Sequence, residues 1–240
     1  MTFSAVFHVG WPWMGLGMAV VLLILLFRTD LLHPNGGSRW KDVTWLAWLA
    51  APVYQIHQFE EYSLHMTDWT YDIISVFYSD ASPMAALGGM EALPLAHFPL
   101  VNIGLVWLAV PIAALLSKRY PVIGLSPYGF ILANGFVHVV SGPAMGMSIS
   151  ENAGFFSGLF LFLPLAVWAA YAAVKSGSLD KKSVALAYVS GFLGHVALGS
   201  CYLFALLGLP AAVLMADVVV GFVPLILSWL LCKLCKISPR

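Results

Sequence analysis

Charge is what this chain has least of. Asp, Glu, Lys and Arg make up 9% of its 240 residues, while 61% are hydrophobic. Soluble globular domains carry about 25% charged residues, so that class is excluded. No basic tract occurs and the formal net charge is zero, which excludes nucleic acid as a partner. No Lys or Arg precedes the first apolar run, Gly10 to Phe27, and the first base is Arg28. A cleavable signal peptide has its positive charge ahead of the apolar stretch, so this run reads as an uncleaved first span. Cysteine is scarce, with three residues and hence no disulfide framework. Cys201 reads as packing, and Cys232-x-x-Cys235 as a pair of thiols in a reducing compartment.

What the chain has in abundance is apolar runs of spanning length. Seven are expected, over roughly 10–27, 42–65, 97–117, 120–143, 154–174, 183–208 and 209–232. The predicted architecture is an all-α, polytopic membrane bundle forming a single domain over 1–240, with the lipid bilayer as its first partner. The connection 28–41 is polar and carries Pro34-Asn35-Gly36-Gly37. The connection 66–96 is long, and its aromatic part, Asp68 to Tyr78, is expected to form an interfacial helix or lid. A Gly208-Leu209-Pro210 corner makes the last two spans adjacent and antiparallel.

The bases fix an orientation. Arg28, Arg39 and Lys41 lie between spans one and two, and Lys118 and Arg119 between three and four. Lys175, Lys181 and Lys182 lie between five and six, and Lys233, Lys236 and Arg240 follow span seven. The alternate connections carry Asp68, Asp72, Asp80, Glu91 and Glu151 and no base. The positive-inside rule then puts the N-terminus outside and the C-terminus in the cytoplasm of a multi-pass protein of the cell (inner) membrane.

Span two ends in Gln55-Ile56-His57-Gln58-Phe59-Glu60-Glu61-Tyr62-Ser63-Leu64-His65. On a helix, Glu60 and Glu61 stand three and four residues from His57 and flank its imidazole. His65 continues the stripe. At 1.5 Å per residue, His57, Glu60 and Glu61 lie about 6–12 Å below the outer boundary, as do Asn134 and His138 on span four. His97 sits at that boundary on span three, with Asn102 about 7 Å in. Asp217 is at about 12 Å on span seven and His195 at about 19 Å on span six. An ionisable group near the bilayer centre costs on the order of 3 kcal/mol, so several at one depth are tolerated best when they face one another.

The pattern His57-x-x-Glu60-Glu61 in an apolar helix, followed by Asn134-x-x-x-His138, resembles the signature of the HXXEE family. These are small prokaryotic multi-span membrane proteins named for the motif, without an assigned activity. The resemblance covers spans two to four and implies a shared fold but no defined reaction. Other families serve as contrasts. The acidic pair and Asp217 resemble the layout of seven-span membrane terpene cyclases, from which the many histidines depart. Span seven has none of the histidines that zinc hydrolases of the ceramidase and adiponectin-receptor type place there. The His-x-x-His-His box of membrane desaturases is also missing.

Three chemistries fit these residues. His57, Glu60, Glu61, His97, His138 and His195 offer ligands for zinc or iron, with Asn102, Asn134 and His65 in support. Zinc would serve a hydrolase and iron an oxidoreductase acting on a lipidic small molecule near the outer leaflet. Alternatively Glu60, Glu61 and Asp217 act without metal, as the acids of a cyclase or isomerase of an isoprenoid-type lipid. The third reading is a carrier or sensor of protons or metal ions.

Overall fold

The computed structural model describes residues 3–33, 36–63, 93–144, 146, 148–149 and 152–235. All regular structure among them is helical: α1 (Phe3–Arg28), α2 (Val43–Ser63), α3 (His97–Leu116), α4 (Pro121–Ala144), α5 (Phe155–Lys175), α6 (Lys181–Leu206), α7 (Pro210–Val220) and α8 (Val223–Leu234). His65 and most of the expected lid, 66–92, lie outside the described residues.

Five helices, α1 from Gly10, α3, α4, α5 and α6, are long and apolar enough to cross a membrane. The expected single rod 209–232 is instead two helices, α7 and α8, bent by 53° and counting as a sixth span if taken together. The expected second span is different in kind. The polar residues of the motif lower the apolarity of α2, and this 21-residue helix is not among the candidate spans. It is the one the others wrap: only Trp48, Ile56, Phe59 and Tyr62 on it escape full burial. Among the described residues, five helices, or six with the bent pair, thus stand where seven spans were expected.

Hydrogen bonds from aromatic side chains tie α2 in place. Trp45 donates its Nε1 to the Leu26 carbonyl of α1 at 3.0 Å, and Tyr128 of α4 donates its hydroxyl to the Leu46 carbonyl at 2.5 Å. At the other end the rings of Trp11 and Tyr62 lie 4.9 Å apart. The main core runs along this helix, from Trp45, Leu46 and Leu49 to Tyr54, against Leu125, Tyr128, Ile131 and Phe162.

Two helices widen to π geometry, over Ile103–Ala109 in α3 and Gly158–Phe162 in α5. In each, a proline (Pro111, Pro164) follows two residues after the widened stretch. A proline ring clashes with the carbonyl one turn before it, and an extra residue in that turn moves the carbonyl aside. The widened part of α3 accepts α7 closely. A Cβ on Gly221, at the bend, would lie 2.6 Å from Leu105 N.

The connections that carry bases converge at one end of the bundle. Ser38, Lys41, Asp42, Ser117, Lys118 and Ser176 line a common cavity of about 350 Å³ there. At the same end Asp180 caps α6, accepting the Ser183 N–H at 2.7 Å, and these Ser183 hydrogen bonds hold its carboxyl below the usual carboxylate range.

Candidate metal centre

The motif residues lie on the last turns of α2, opposite α4 and the start of α5. Glu61 stands one turn from His57 and bridges to the facing helix. Its Oε2 is 3.5 Å from His57 Nε2, and its Oε1 is 3.5 Å from His138 Nε2 on α4. The three residues are buried, and they offer ligand atoms that all lie within 4.8 Å of one another.

Both imidazoles are oriented from behind. His138 Nδ1 lies 2.8 Å from the Ala153 carbonyl, which only accepts, so that nitrogen carries the proton. His57 Nδ1 lies 2.7 Å from Ser157 Oγ, whose own hydroxyl points to the Gly154 carbonyl. With that hydroxyl 3.4 Å from the Gly154 oxygen and the Asn134 amide nitrogen 3.1 Å from Nε2, the network assigns the His57 proton to Nδ1. Each neutral imidazole then presents its Nε2 lone pair toward Glu61. Two lone pairs and a carboxylate face one another across 3.5 Å, with no proton of their own between them. The Asn134 amide nitrogen, 3.1 Å from His57 Nε2, donates to one of these lone pairs, while the His138 lone pair and the carboxylate repel unless a cation or an added proton sits between them. Outer hydrogen bonds that fix the tautomer of ligating histidines are what metal sites require.

The turn before α5 is shaped to this pair. Gly154 has φ +82°, and a Cβ there would lie 2.7 Å from His138 Nδ1 and 2.8 Å from His57 Cε1. Asn152 donates to the His138 carbonyl at 2.6 Å.

A family model described as "Protein of unknown function with HXXEE motif" matches residues 48–169, which spans α2 to α5 and contains every residue of this cluster. The chain belongs to the HXXEE family. No curated protein and no solved structure matches it.

The two glutamates of the HXXEE motif point to different tasks. Glu60 accepts the backbone N–H of Phe156 at 2.9 Å and of Ser157 at 2.7 Å, so both its oxygens hold the start of α5. Glu61 alone faces the imidazoles. Asn134 extends the cluster. Its Nδ2 lies 3.1 Å from His57 Nε2, and its Oδ1 3.2 Å from His195 Nε2 on α6. His195 thus touches the cluster through Asn134 and is only half-buried. Asn102 faces elsewhere: it accepts from Gln58 at 3.0 Å and donates to Tyr62 at 3.0 Å.

His97 and Asp217 form a separate pair. His97 Nδ1 is 2.7 Å from Asp217 Oδ1, with Cys201 of α6 beside them. The single shared site expected from depth is thus two clusters, with Glu60 turned to a third task. Ser157, Asn152 and Cys201 were not anticipated as site residues. Ser157 and Asn152 left no signal in the sequence, because nothing there shows which turn meets which imidazole. Cys201 carried one, since a thiol in an otherwise apolar helix is a potential ligand.

Proposed function

We propose that this HXXEE protein is an integral membrane metalloenzyme whose site is His57, Glu61 and His138. The observation that carries the reading is the facing of two Nε2 lone pairs and one carboxylate, each imidazole held in the ligating tautomer from behind. Two nitrogens and one carboxylate suit zinc or non-haem iron. Zinc would supply a polarised water for hydrolysis, and iron would supply oxidation. The chain's own part is to fix the imidazoles through Ser157 and the Ala153 carbonyl. It also excludes water with Tyr54 and Phe162, whose rings lie 5.7 and 4.3 Å from that of His57.

A lipidic or otherwise apolar substrate fits the surroundings. Asn134 and His195 lead from His57 to a face of α4 and α6 where Phe136, Phe192 and Val196 are exposed. An apolar molecule in the bilayer meets that face first. With the bases on the cytoplasmic side, the site lies in the outer half of the membrane.

Elemental analysis of full-length protein purified without chelator tests the reading. The expected result is zinc or iron bound in the wild type, with about one equivalent lost in His138→Ala. Well under one ion per chain in the wild type would overturn it. That result would leave Glu61 as the holder of a shared proton and favour the metal-free acid.

A further inference from the structure

His97, Cys201 and Asp217 take no part in the His57 cluster. They come from α3, α6 and α7, and their ligand atoms lie within 4.8 Å of one another, all three residues being buried. The surroundings are apolar: Phe98, Val101, Ala205, Val213 and Val220 pack about Cys201. Asp217 is fully buried, and its two oxygens are unequal. Oδ1 meets His97 Nδ1 at 2.7 Å, while Oδ2 has no nitrogen or oxygen donor and only the weakly donating Cys201 thiol for company. A buried carboxylate oxygen met by no more than a thiol is poorly satisfied, and a cation held between the three side chains would satisfy it better.

We propose that His97, Cys201 and Asp217 form a second metal site, distinct from the His57 cluster, that takes a borderline ion such as zinc. The donor set is one imidazole, one thiolate and one carboxylate, which matches zinc better than magnesium or calcium. Charge favours it too. A thiolate and a carboxylate sum to the charge that a divalent ion cancels, whereas neither anion alone is well tolerated among these side chains. Binding releases the Cys201 thiol proton to solvent and moves the imidazole proton of His97 to Nε2. The His97–Asp217 contact then opens from 2.7 Å to about 3.3 Å, the separation of nitrogen and oxygen ligands on one tetrahedral zinc. Three protein ligands leave a fourth position open.

Cobalt(II) reports the site directly, because a thiolate on cobalt gives a charge-transfer absorption in the near ultraviolet that imidazole and carboxylate do not. Full-length protein in detergent is titrated with cobalt(II). The expected result is a charge-transfer band saturating at one ion per chain, lost in Cys201→Ser and kept in a Cys232→Ser/Cys235→Ser double variant. His138→Ala keeps the band as well, so this site and the His57 cluster fail separately. Asp217→Asn preserves shape and removes an anionic ligand, and it should raise the cobalt concentration at half-saturation at least tenfold. A wild-type protein without the band, a band that survives Cys201→Ser, or an Asp217→Asn titration that coincides with the wild type would each overturn the proposal.

Discussion

Glu60 Oε2 accepts the backbone N–H of Ser157 at 2.7 Å, and the hydroxyl of the same Ser157 holds His57 Nδ1 at 2.7 Å. The first glutamate of the motif therefore sets the position of the residue that sets the histidine. Adjacent on α2, Glu60 and Glu61 leave the helix about 100° apart, so one meets the start of α5 and the other meets His138.

Glu60→Gln should destabilise the protein. The amide keeps one acceptor and turns an NH2 toward a backbone N–H, replacing two charge-assisted hydrogen bonds by one neutral bond and one clash. Each charged hydrogen bond is worth about 1.5–3 kcal/mol, so a loss of about 2 kcal/mol or more is expected. Thermal unfolding in detergent with chelator present reads it. A Tm equal to that of the wild type would remove Glu60 from this role.

Glu61→Gln should do the opposite under the same conditions. With chelator present the wild type must take up a proton at Glu61 to tolerate the two imidazole lone pairs, and the amide brings its own N–H and needs none. The variant is expected to match or exceed the wild-type Tm in chelator, and to fall below it when zinc is added. A Tm that rises equally with zinc in both proteins would show that Glu61 is not a ligand.

Gly154→Ala combines two penalties at one position. The backbone is left-handed there, which costs a residue with a Cβ about 1–3 kcal/mol. The added carbon would also push on His138 Nδ1 and His57 Cε1, from 2.7 and 2.8 Å. Metal content should fall along with Tm. Loss of stability with metal content unchanged would separate the turn from the site.

Much of the site was legible because helical spacing is rigid. His57 and Glu61, and likewise Asn134 and His138, are four apart and share a face wherever their helices go. The meeting of Lys41 and Lys118 at one end was legible for a similar reason, since short connections leave them no choice of end. The rest depended on helix rotation, which an almost uniformly apolar segment does not encode. Asp217 is the clearest case. Seven of the ten other residues of α7 are Ala or Val, so nothing in its sequence says which neighbour the carboxylate meets. The π stretches in α3 and α5 add a residue to a turn and shift every face beyond them. The bend between α7 and α8 was hidden as well. Gly221 permits it, yet the glycine is needed only because the backbone of α3 passes 2.6 Å from where its Cβ would be.

Orientation in the membrane rests on the bases. Lys41 and Lys118 share one cavity at one end of the bundle, so the charges of two connections lie together in space as well as in pattern. In a cell membrane that end should face the cytoplasm, because Lys and Arg in short loops resist translocation. A cysteine introduced at Asp80 should then react with a membrane-impermeant thiol reagent in intact cells. One introduced at Leu179 should react only after the membrane is opened. The native Cys232 and Cys235 flank Lys233 and contribute labelling of their own. The unaltered protein, carried through the same labelling, sets the background. An unreactive position 80 beside a reactive position 179 would reverse the orientation. The His57 cluster would then open to the cytoplasmic leaflet, and its substrate would have to come from that side.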